Sequence, residues 1–272
     1  MSSPNDPLAG YYDSLTRYTR LARGLGWGGG DEHAAVRRAL IGADGLASPR
    51  VTESLVAEAA GPMAAPRILD AGCGLGGLGL ALLARFGGTL RGIALSPAQI
   101  ARAQAEAARR GLAADFRVAS YDDPLAGHYD LIVAVESLAH APDLAKSLAN
   151  LARTLAPGGK LIVVDDVRAC GADEPDARIF VEGWRVPSFV DEPAWRQGFA
   201  GAGLRLDRLD DLSDRLVHRD PAARARLERW NRRAHRLLLP LRGILDSHWG
   251  GLALERLHAR KAAHYVLFAA SL

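Results

Sequence analysis

The feature that most constrains the fold is a glycine-rich loop between a short apolar run and a helix-like segment. It reads Ile68-Leu69-Asp70-Ala71-Gly72-Cys73-Gly74-Leu75-Gly76-Gly77. Glycine adopts left-handed backbone conformations at little cost and lets a ligand come close to the main chain. A helix that begins directly after such a loop also presents unpaired N–H groups. The loop therefore predicts a strand, a tight turn and a helix around a ligand-binding site.

From residue 67 onward, short apolar runs alternate with longer Ala- and Leu-rich stretches, which is typical of an α/β fold with a mostly parallel sheet. We predict strands over 67–71, 90–95, 115–119, 129–135, 160–165, 204–209 and 265–270. Helical spacing of apolar residues predicts helices over 78–86, 97–110 and 144–155, the last ended by a Pro-Gly-Gly turn at 157–159. Another helix is predicted to open at 191–193.

The length of 272 residues allows one large domain. We predict one domain with an N-terminal helical lid at 1–60, a core at 61–210 and 255–272, and an inserted helical cap at 211–254. Its 49% hydrophobic and 24% charged residues are typical of a globular protein. Only Cys73 and Cys170 are present, without an apolar leader or a membrane-length apolar run, so we expect a cytoplasmic protein.

Three features of the sequence help to decide whether such a loop binds NAD or S-adenosylmethionine. Gly72, Gly74 and Gly77 satisfy the G-x-G-x-x-G pattern of dinucleotide-binding loops. However, the second predicted strand lacks the acid that would hold an NAD ribose. Asp70, directly before the loop, is suited to the cationic amino group of S-adenosylmethionine, and a Pro-Gly-Gly turn precedes the fifth predicted strand. These residues favour S-adenosylmethionine.

The segments LDAGCGLGG, GIALSPAQ, YDLIVAVESLAHAPD and LAPGGKLIVVDD occur in an order that resembles the class I S-adenosylmethionine-dependent methyltransferases. The resemblance covers residues 64–167 and extends more faintly to the end. It implies a Rossmann-like fold with a central seven-stranded, mostly parallel sheet. The subgroup that the sequence is similar to contains sugar O-methyltransferases, tocopherol methyltransferases and geranyl diphosphate C-methyltransferases, which act on small molecules.

The resemblance also implies which residues contact the cofactor. Asp70, Gly72 and Gly74 would surround its methionine part, while the Leu-Ser-x-x-Gln turn would place Leu95 and Gln99 at the ribose. The segment after the third strand would reach the adenine, and a Tyr-Tyr-Asp segment with Tyr12 would cover the cofactor. The full implied set is Tyr12, Asp70, Gly72, Gly74, Leu95, Ser96, Gln99, Ser120, Tyr121, Asp122, Val135, Glu136 and His140. No metal ligands are expected.

His140 is the first candidate for a catalytic group. It follows the fourth predicted strand and so lies at the carboxyl edge of the sheet, where α/β sites form. A hydroxyl acceptor loses its proton as the methyl group arrives, and histidine is a suitable base near neutral pH. In the sugar O-methyltransferases that the segment resembles, two histidines act with an Asp. Here Ala139 replaces the first histidine, and Asp165 stands where the Asp is found. A packing or capping role stays open for both His140 and Asp165.

Glu136 supports a different chemistry. In the terpenoid C-methyltransferases that the sequence resembles, a Glu-Ser pair after the fourth strand supplies a carboxylate. That carboxylate takes the proton from the carbocation left by alkene methylation. The alternative function is therefore C-methylation of an isoprenoid or aromatic carbon with Glu136 as base. A noncatalytic paralogue that only binds the cofactor is a second alternative, although the complete glycine loop disfavours it.

Positive charge is concentrated in the predicted cap. The net charge is +3, but residues 215–242 hold nine arginines and two acidic residues, Asp220 and Glu228. Apolar residues recur there at helical spacing, so a helix with a solvated basic face is one interpretation. The other is an arginine set that holds an anionic acceptor. Interleaved aromatic residues are too few for a nucleic-acid site.

Together these features predict a cytoplasmic S-adenosylmethionine-dependent methyltransferase of a small-molecule secondary metabolite. The leading hypothesis is O-methylation with His140 as base and Asp165 assisting. The acceptor, anionic or isoprenoid compounds included, and the oligomeric state, a homodimer included, stay open.

Overall fold

The computed structural model describes residues 10, 38–171, 173–237 and 242–272. Seven strands form one sheet: β1 Arg67–Ala71, β2 Thr89–Ala94, β3 Asp115–Val118, β4 Tyr129–Val135, β5 Leu155–Arg168, β6 Arg205–Asp211 and β7 Ala263–Ser271. Their order across the sheet is β3-β2-β1-β4-β5-β7-β6. All neighbours pair in parallel except β7, which runs antiparallel to both β5 and β6. The predicted Rossmann-like fold class is confirmed.

Helices cover both faces of this sheet. The helices are α1 Arg50–Ala60, α2 Gly77–Phe86, α3 Pro97–Arg110, α4 Leu144–Ala152, α5 Pro175–Trp184, α6 Glu192–Gly201, α7 Pro221–Leu237 and α8 Arg242–Ala259. Two 3-10 turns, Leu138–His140 and Ser213–Arg215, follow β4 and β6. A short hairpin pairs Leu40–Ile41 with Ala47–Ser48. Within the described residues, none of the helices is both long enough and apolar enough to cross a membrane.

The core lies in two layers because successive strand residues point to opposite faces of a sheet. On β4, Leu131 and Val133 belong to one apolar cluster, while Ile132 and Ala134 belong to the other. Helices α1, α2 and α3 cover the first cluster, and α4 and α6 cover the second. Strands buried on both faces are apolar at nearly every position. This is why the strands could be recognised as continuous apolar runs.

The predicted strands were found, but one helix prediction needs correction and one helix was not predicted. The helix predicted over 144–155 ends at Ala152, and the Pro-Gly-Gly turn belongs to β5 instead of preceding it. The chain bends there, with Gly158 at φ +75° and a register shift against Tyr129 and Leu131. Helix α5 was not predicted from the sequence, although Glu174 caps it and Pro175 begins it.

Helices α5 and α8 cross at very close range above the sheet. A Cβ on Gly183 would lie 2.5 Å from the Asp246 carbonyl oxygen and 2.9 Å from the Gly250 Cα. The indole of Trp184 donates to the Ser247 carbonyl oxygen at 2.8 Å. The helical layer therefore includes α5 as well as α7 and α8. Helix α8 also runs past the predicted cap boundary at 254, to Ala259.

We predict that Gly183→Ala destabilises the fold by about 1–3 kcal/mol, because its new methyl group must push α5 away from α8. The matched control is Gly201→Ala at the end of α6, where a Cβ meets no atom within 4 Å. The control should be neutral or stabilising by up to about 1 kcal/mol, since alanine favours helix. Urea unfolding of both variants measures the difference. Equal stability of the two variants would contradict the close crossing.

Candidate functional site

The glycine loop joins β1 to α2 and turns through three glycines with positive φ. Gly72, Gly74 and Gly76 have φ of +85°, +53° and +82°. A Cβ on Gly72 would lie 2.4 Å from Ser137 Cβ, and one on Gly76 would lie 2.8 Å from the Phe116 ring. By contrast, a Cβ on Gly74 meets nothing within 4 Å. The loop is therefore packed against protein at its two ends and leaves room for a ligand at Gly74.

Asp70 lies under this loop at the end of β1 and is only 2% exposed. Its Oδ2 accepts a hydrogen bond from the Gly79 N–H, in the first turns of α2, at 3.0 Å. A Cβ on Gly79 would lie 2.9 Å from the same carboxylate oxygen and from Leu90 Cδ1. Asp70 thus connects β1 to α2 and fixes the loop. Its predicted role toward an amino group stays a prediction.

The turn after β2 begins helix α3. Ser96 is fully buried and caps α3, its hydroxyl accepting from the Gln99 N–H at 3.1 Å. The Ser96 hydroxyl is therefore engaged in the cap. Leu95 and Gln99 remain half-buried, which suits the ribose contacts that the sequence predicted for them.

The segment after β3 is bonded to neighbouring elements through Tyr121 and Asp122. The Tyr121 hydroxyl donates to the Ser137 carbonyl oxygen at 2.6 Å, and burial raises the pKa of this phenol well above its usual range. Asp122 takes hydrogen bonds from the hydroxyls of Ser120, at 3.2 Å, and Ser147. These contacts hold the predicted adenine side of the site against the loop that follows β4.

Glu136 directly follows buried Val135 at the end of β4 and has φ +51°. A non-glycine residue in this region is uncommon, and such conformations concentrate at functional sites. The Glu136 N–H donates to the Val164 carbonyl oxygen at 2.8 Å, and the next hydroxyl, that of Ser137, donates to the Ala71 carbonyl oxygen at 2.9 Å. The ends of β1, β4 and β5 are thus joined at one place.

The Glu136 carboxylate belongs to a group that the sequence analysis did not assemble. Its Oε1 accepts from Tyr265 Oη at 2.8 Å and from Arg38 N and Nε, each at 3.3 Å. Arg38 also binds both oxygens of Asp166, at 2.8 and 2.5 Å. The guanidinium carbon lies 4.3 Å from the centre of the Tyr265 ring. His258 Nε2 completes the group, 2.9 Å from Asp166 Oδ1. We call these five residues the Arg38 cluster.

Charges inside the Arg38 cluster shift its pKa values in opposite directions. Burial acts to raise the pKa of Asp166, but the charge of Arg38 and the hydrogen bond from His258 outweigh burial and hold it at about 2. Burial also acts to lower the pKa of Arg38, and Asp166 and Glu136 raise it above its ordinary value. Asp166 is thus an anion and Arg38 a cation at every physiological pH.

Asp165 and His140 meet through the backbone of the 3-10 turn. Asp165 Oδ2 accepts from the Ala139 N–H, and Oδ1 accepts from the Asp166 N–H, both at 3.0 Å. The His140 ring instead places Nδ1 3.1 Å from the Arg185 carbonyl oxygen. Asp165 therefore acts on His140 by capping the turn that carries it, while the Arg185 carbonyl orients the ring.

Burial moves these two groups toward their neutral forms. Burial, together with the charge of Asp166, raises the pKa of Asp165 to about 7. Burial lowers the pKa of His140 to about 4, despite the opposing effect of the Arg185 carbonyl. A carbonyl can only accept, so Nδ1 of neutral His140 carries the hydrogen and Nε2 carries the lone pair.

Most of the cap arginines whose side chains are described face solvent. Among residues 215–233, those with exposed side chains are Arg215, Arg219, Arg226, Arg229, Arg232 and Arg233. Arg219 pairs with Glu255, and Arg232 lies 5.8 Å from the Trp249 ring centre. These positions favour the solvated face over an anion-binding set.

The Tyr-Tyr-Asp segment with Tyr12 lies outside the described residues. Within the described residues, no group of three or more His, Cys, Asp or Glu has a metal-binding arrangement.

Sequence patterns carry little signal for the Arg38 cluster. Arg38 stands in no recognisable motif, His258 lies in the last turn of a cap helix, and Tyr265 reads as an ordinary strand residue. The adjacent acids Asp165 and Asp166 were the visible sign. Such a pair can orient a histidine, hold a substrate hydroxyl or cap the turn, and the structure pairs Asp166 with His258.

Known proteins resemble the chain in both sequence and fold. Residues 69–163 match the family model of a methyltransferase domain. The tocopherol O-methyltransferase of Arabidopsis thaliana is 44% identical over 102 residues, covering 36% of this chain and 29% of that protein. A ubiquinone biosynthesis O-methyltransferase of Xanthomonas oryzae is 29% identical over 76% of this chain and 77% of its own. The matches span 29 to 46% of the length of three curated relatives.

A solved structure extends the likeness to the whole fold. The geranyl diphosphate C-methyltransferase of Streptomyces coelicolor, solved with S-adenosyl-L-homocysteine, superposes with a TM-score of 0.69. It is 18% identical, and the likeness covers 99% of both chains. The family match, the glycine loop and the sheet order agree. Residues 69–163 therefore match a methyltransferase domain, and the chain has the fold of this solved methyltransferase.

Proposed function

We propose that the chain is an S-adenosylmethionine-dependent methyltransferase that methylates a hydroxyl group of a small molecule. The observation that carries this proposal is the pairing of an open glycine loop with a neutral, oriented histidine at the same sheet edge. Gly74 leaves room for the cofactor, and His140 offers a lone pair on Nε2. The O-methyltransferase names of the sequence relatives agree with a hydroxyl acceptor.

The residues present fit this cofactor. The bound cofactor supplies a methyl group on a positively charged sulfur. In the proposal, Asp70 and the loop from Gly72 to Gly74 hold its methionine part. The ribose lies by Leu95, Ser96 and Gln99, and the adenine by the segment from Ser120 to Asp122. Val135 and Glu136 close the site from the end of β4.

His140 serves as the proton acceptor in this proposal. The acceptor oxygen forms its bond to the methyl carbon as the carbon–sulfur bond breaks, and the hydroxyl proton passes to Nε2. A pKa of about 4 makes His140 a weak base for a free hydroxyl. However, the oxygen becomes far more acidic as its bond to carbon forms, and the low pKa then lets His140 release the proton to water.

Glu136 is less suited to act as a base. The Oε1 of its carboxylate already accepts hydrogen bonds from Arg38 and Tyr265, so this oxygen helps to hold the Arg38 cluster together. This arrangement favours O-methylation over the alternative C-methylation.

The two cysteines, Cys73 and Cys170, are both free thiols, which supports a reducing compartment such as the cytoplasm.

We predict that Gly74→Ala weakens S-adenosylmethionine binding at least tenfold, because the added methyl group occupies the space over the loop. The matched control is Gly111→Ala. Both glycines have positive φ, +53° and +64°, and a Cβ on either meets nothing within 4 Å. Calorimetric titration with S-adenosylmethionine compares the variants. Wild-type affinity in Gly74→Ala would place the cofactor elsewhere, and lack of binding by the wild type would overturn the methyltransferase proposal.

We predict that His140→Ala lowers kcat by about 10² to 10⁴, far more than it weakens cofactor binding, because the hydroxyl loses its proton acceptor. Transfer of isotope-labelled methyl groups into a small-molecule extract measures turnover and identifies the acceptor. His128→Ala, at an exposed histidine, is the control and should retain activity. Loss of turnover in Glu136→Gln together with full activity in His140→Ala would instead establish C-methylation.

We predict that Asp165→Asn changes how stability depends on pH. The pKa of Asp165 rises from its ordinary 3.8 to about 7 in the folded protein. Between these values the unfolded chain releases the proton and the folded chain keeps it, so this group costs the wild type stability as pH rises. The stability of Asp165→Asn relative to wild type should therefore increase from pH 4 to 7 and then level off. Urea unfolding at a series of pH values tests this, and parallel curves would refute it.

A further inference from the structure

We propose that His258 forms a second contact to the acceptor, in which its Nδ1 accepts a hydrogen bond from a hydroxyl group other than the one methylated. The acceptor class is then a compound with at least two hydroxyl groups. This inference rests on the proposed methyltransferase function and adds a specificity-determining residue to it.

The tautomer of His258 follows from its partners. Nε2 lies 2.9 Å from Asp166 Oδ1, and an ionised carboxylate can only accept. Nε2 therefore carries the hydrogen and donates it. Arg38 Nη1, 3.2 Å from Nε2, donates to the same Asp166 oxygen at 2.8 Å. With the hydrogen on Nε2, the lone pair of the imidazole ring is on Nδ1.

This Nδ1 atom is buried and has no hydrogen-bond partner among the described residues. His258 as a whole is 8% exposed. Native proteins pair almost all buried polar atoms, so each exception needs an explanation, and a bound molecule is one such explanation. Because Asp166 and Arg38 hold the other side of the ring, Nδ1 is a fixed acceptor that lacks a donor.

The position of His258 places this acceptor beside the candidate site. Asp166 follows Asp165 at the end of β5, and Arg38 links Asp166 to Glu136 at the end of β4. The residues adjoining the two histidines, Ala139 and Leu257, pack in one buried apolar cluster. The charge of Asp166, which His258 contacts, also acts on His140, so both histidines lie near the end of β5.

The chemistry of Nδ1 restricts which group binds there. A lone pair needs a donor, so a carboxylate, a fully ionised phosphate or an ether oxygen gains nothing at this position. A hydroxyl group donates without bringing a charge. Sites that are built to bind a substrate hydroxyl discriminate strongly against analogues that lack it, because the buried partner is then left unpaired.

Methyl transfer to matched acceptors tests the inference. The probes are hydroquinones and phenols that carry the same alkyl substituents, together with the small-molecule extract. We expect wild-type kcat/KM to be at least tenfold higher for the dihydroxy member of a pair. In His258→Phe this ratio should fall to about one, with unchanged cofactor binding. His258→Gln, which keeps a donor and an acceptor, should restore part of the ratio.

The control is His218→Phe, because the His218 ring lies 6.3 Å from that of His258 and is exposed. It should leave the ratio unchanged. An unchanged ratio in His258→Phe, an equal loss for both members of a pair, or an extract product without a second hydroxyl would overturn the inference. Methylation with equal kcat/KM for both members would overturn it and leave the proposed function standing. Absence of any methylated product defeats the proposed function, and the inference with it.

Discussion

The candidate site depends on the two-point pairing of Arg38 with Asp166. The guanidinium binds both carboxylate oxygens and also reaches Glu136, so one side chain ties the N-terminal segment to the ends of β4 and β5. A buried ion pair is not by itself a source of stability, because desolvation of the charges offsets their attraction. Removal of one partner is costly, however, since it leaves a charge buried alone. The pairing therefore fixes geometry more than it adds stability.

Arg38 is held in place by backbone contacts that lie just after it. Leu40 is fully buried and forms an isolated bridge with Leu216, and the Val217 N–H donates to the Ala39 carbonyl oxygen at 3.3 Å. The segment after β6 thus supports the segment that carries Arg38. Because His258 comes from the end of α8, the cluster joins parts of the chain that are more than 200 residues apart.

This separation explains what the sequence predicted and what it did not. Strands such as Arg67–Ala71 and Tyr129–Val135 were predicted to the residue, because burial on both faces makes them mostly apolar. The glycine loop was also predictable, because its whole motif lies within residues 68–77. The pairing of Asp166 with His258 was not predictable, because neither residue has a periodic or spaced signal for the other. The cap arginines were visible as a charge cluster, and most of those whose side chains are described face solvent.

His140 and Asp165 show how one buried turn can set opposite protonation tendencies. Burial lowers the pKa of His140 to about 4 and raises that of Asp165 to about 7, because it disfavours the charged form of each. At neutral pH His140 is therefore neutral, and a substantial fraction of Asp165 is protonated. Groups whose environments separate their pKa values in this way are typical of acid–base sites. Asp166, one residue further along β5, stays ionised because Arg38 and His258 face it. The end of β5 thus places a carboxyl group that titrates near neutral pH beside a permanent carboxylate. The first supports the turn that carries His140, and the second orients His258.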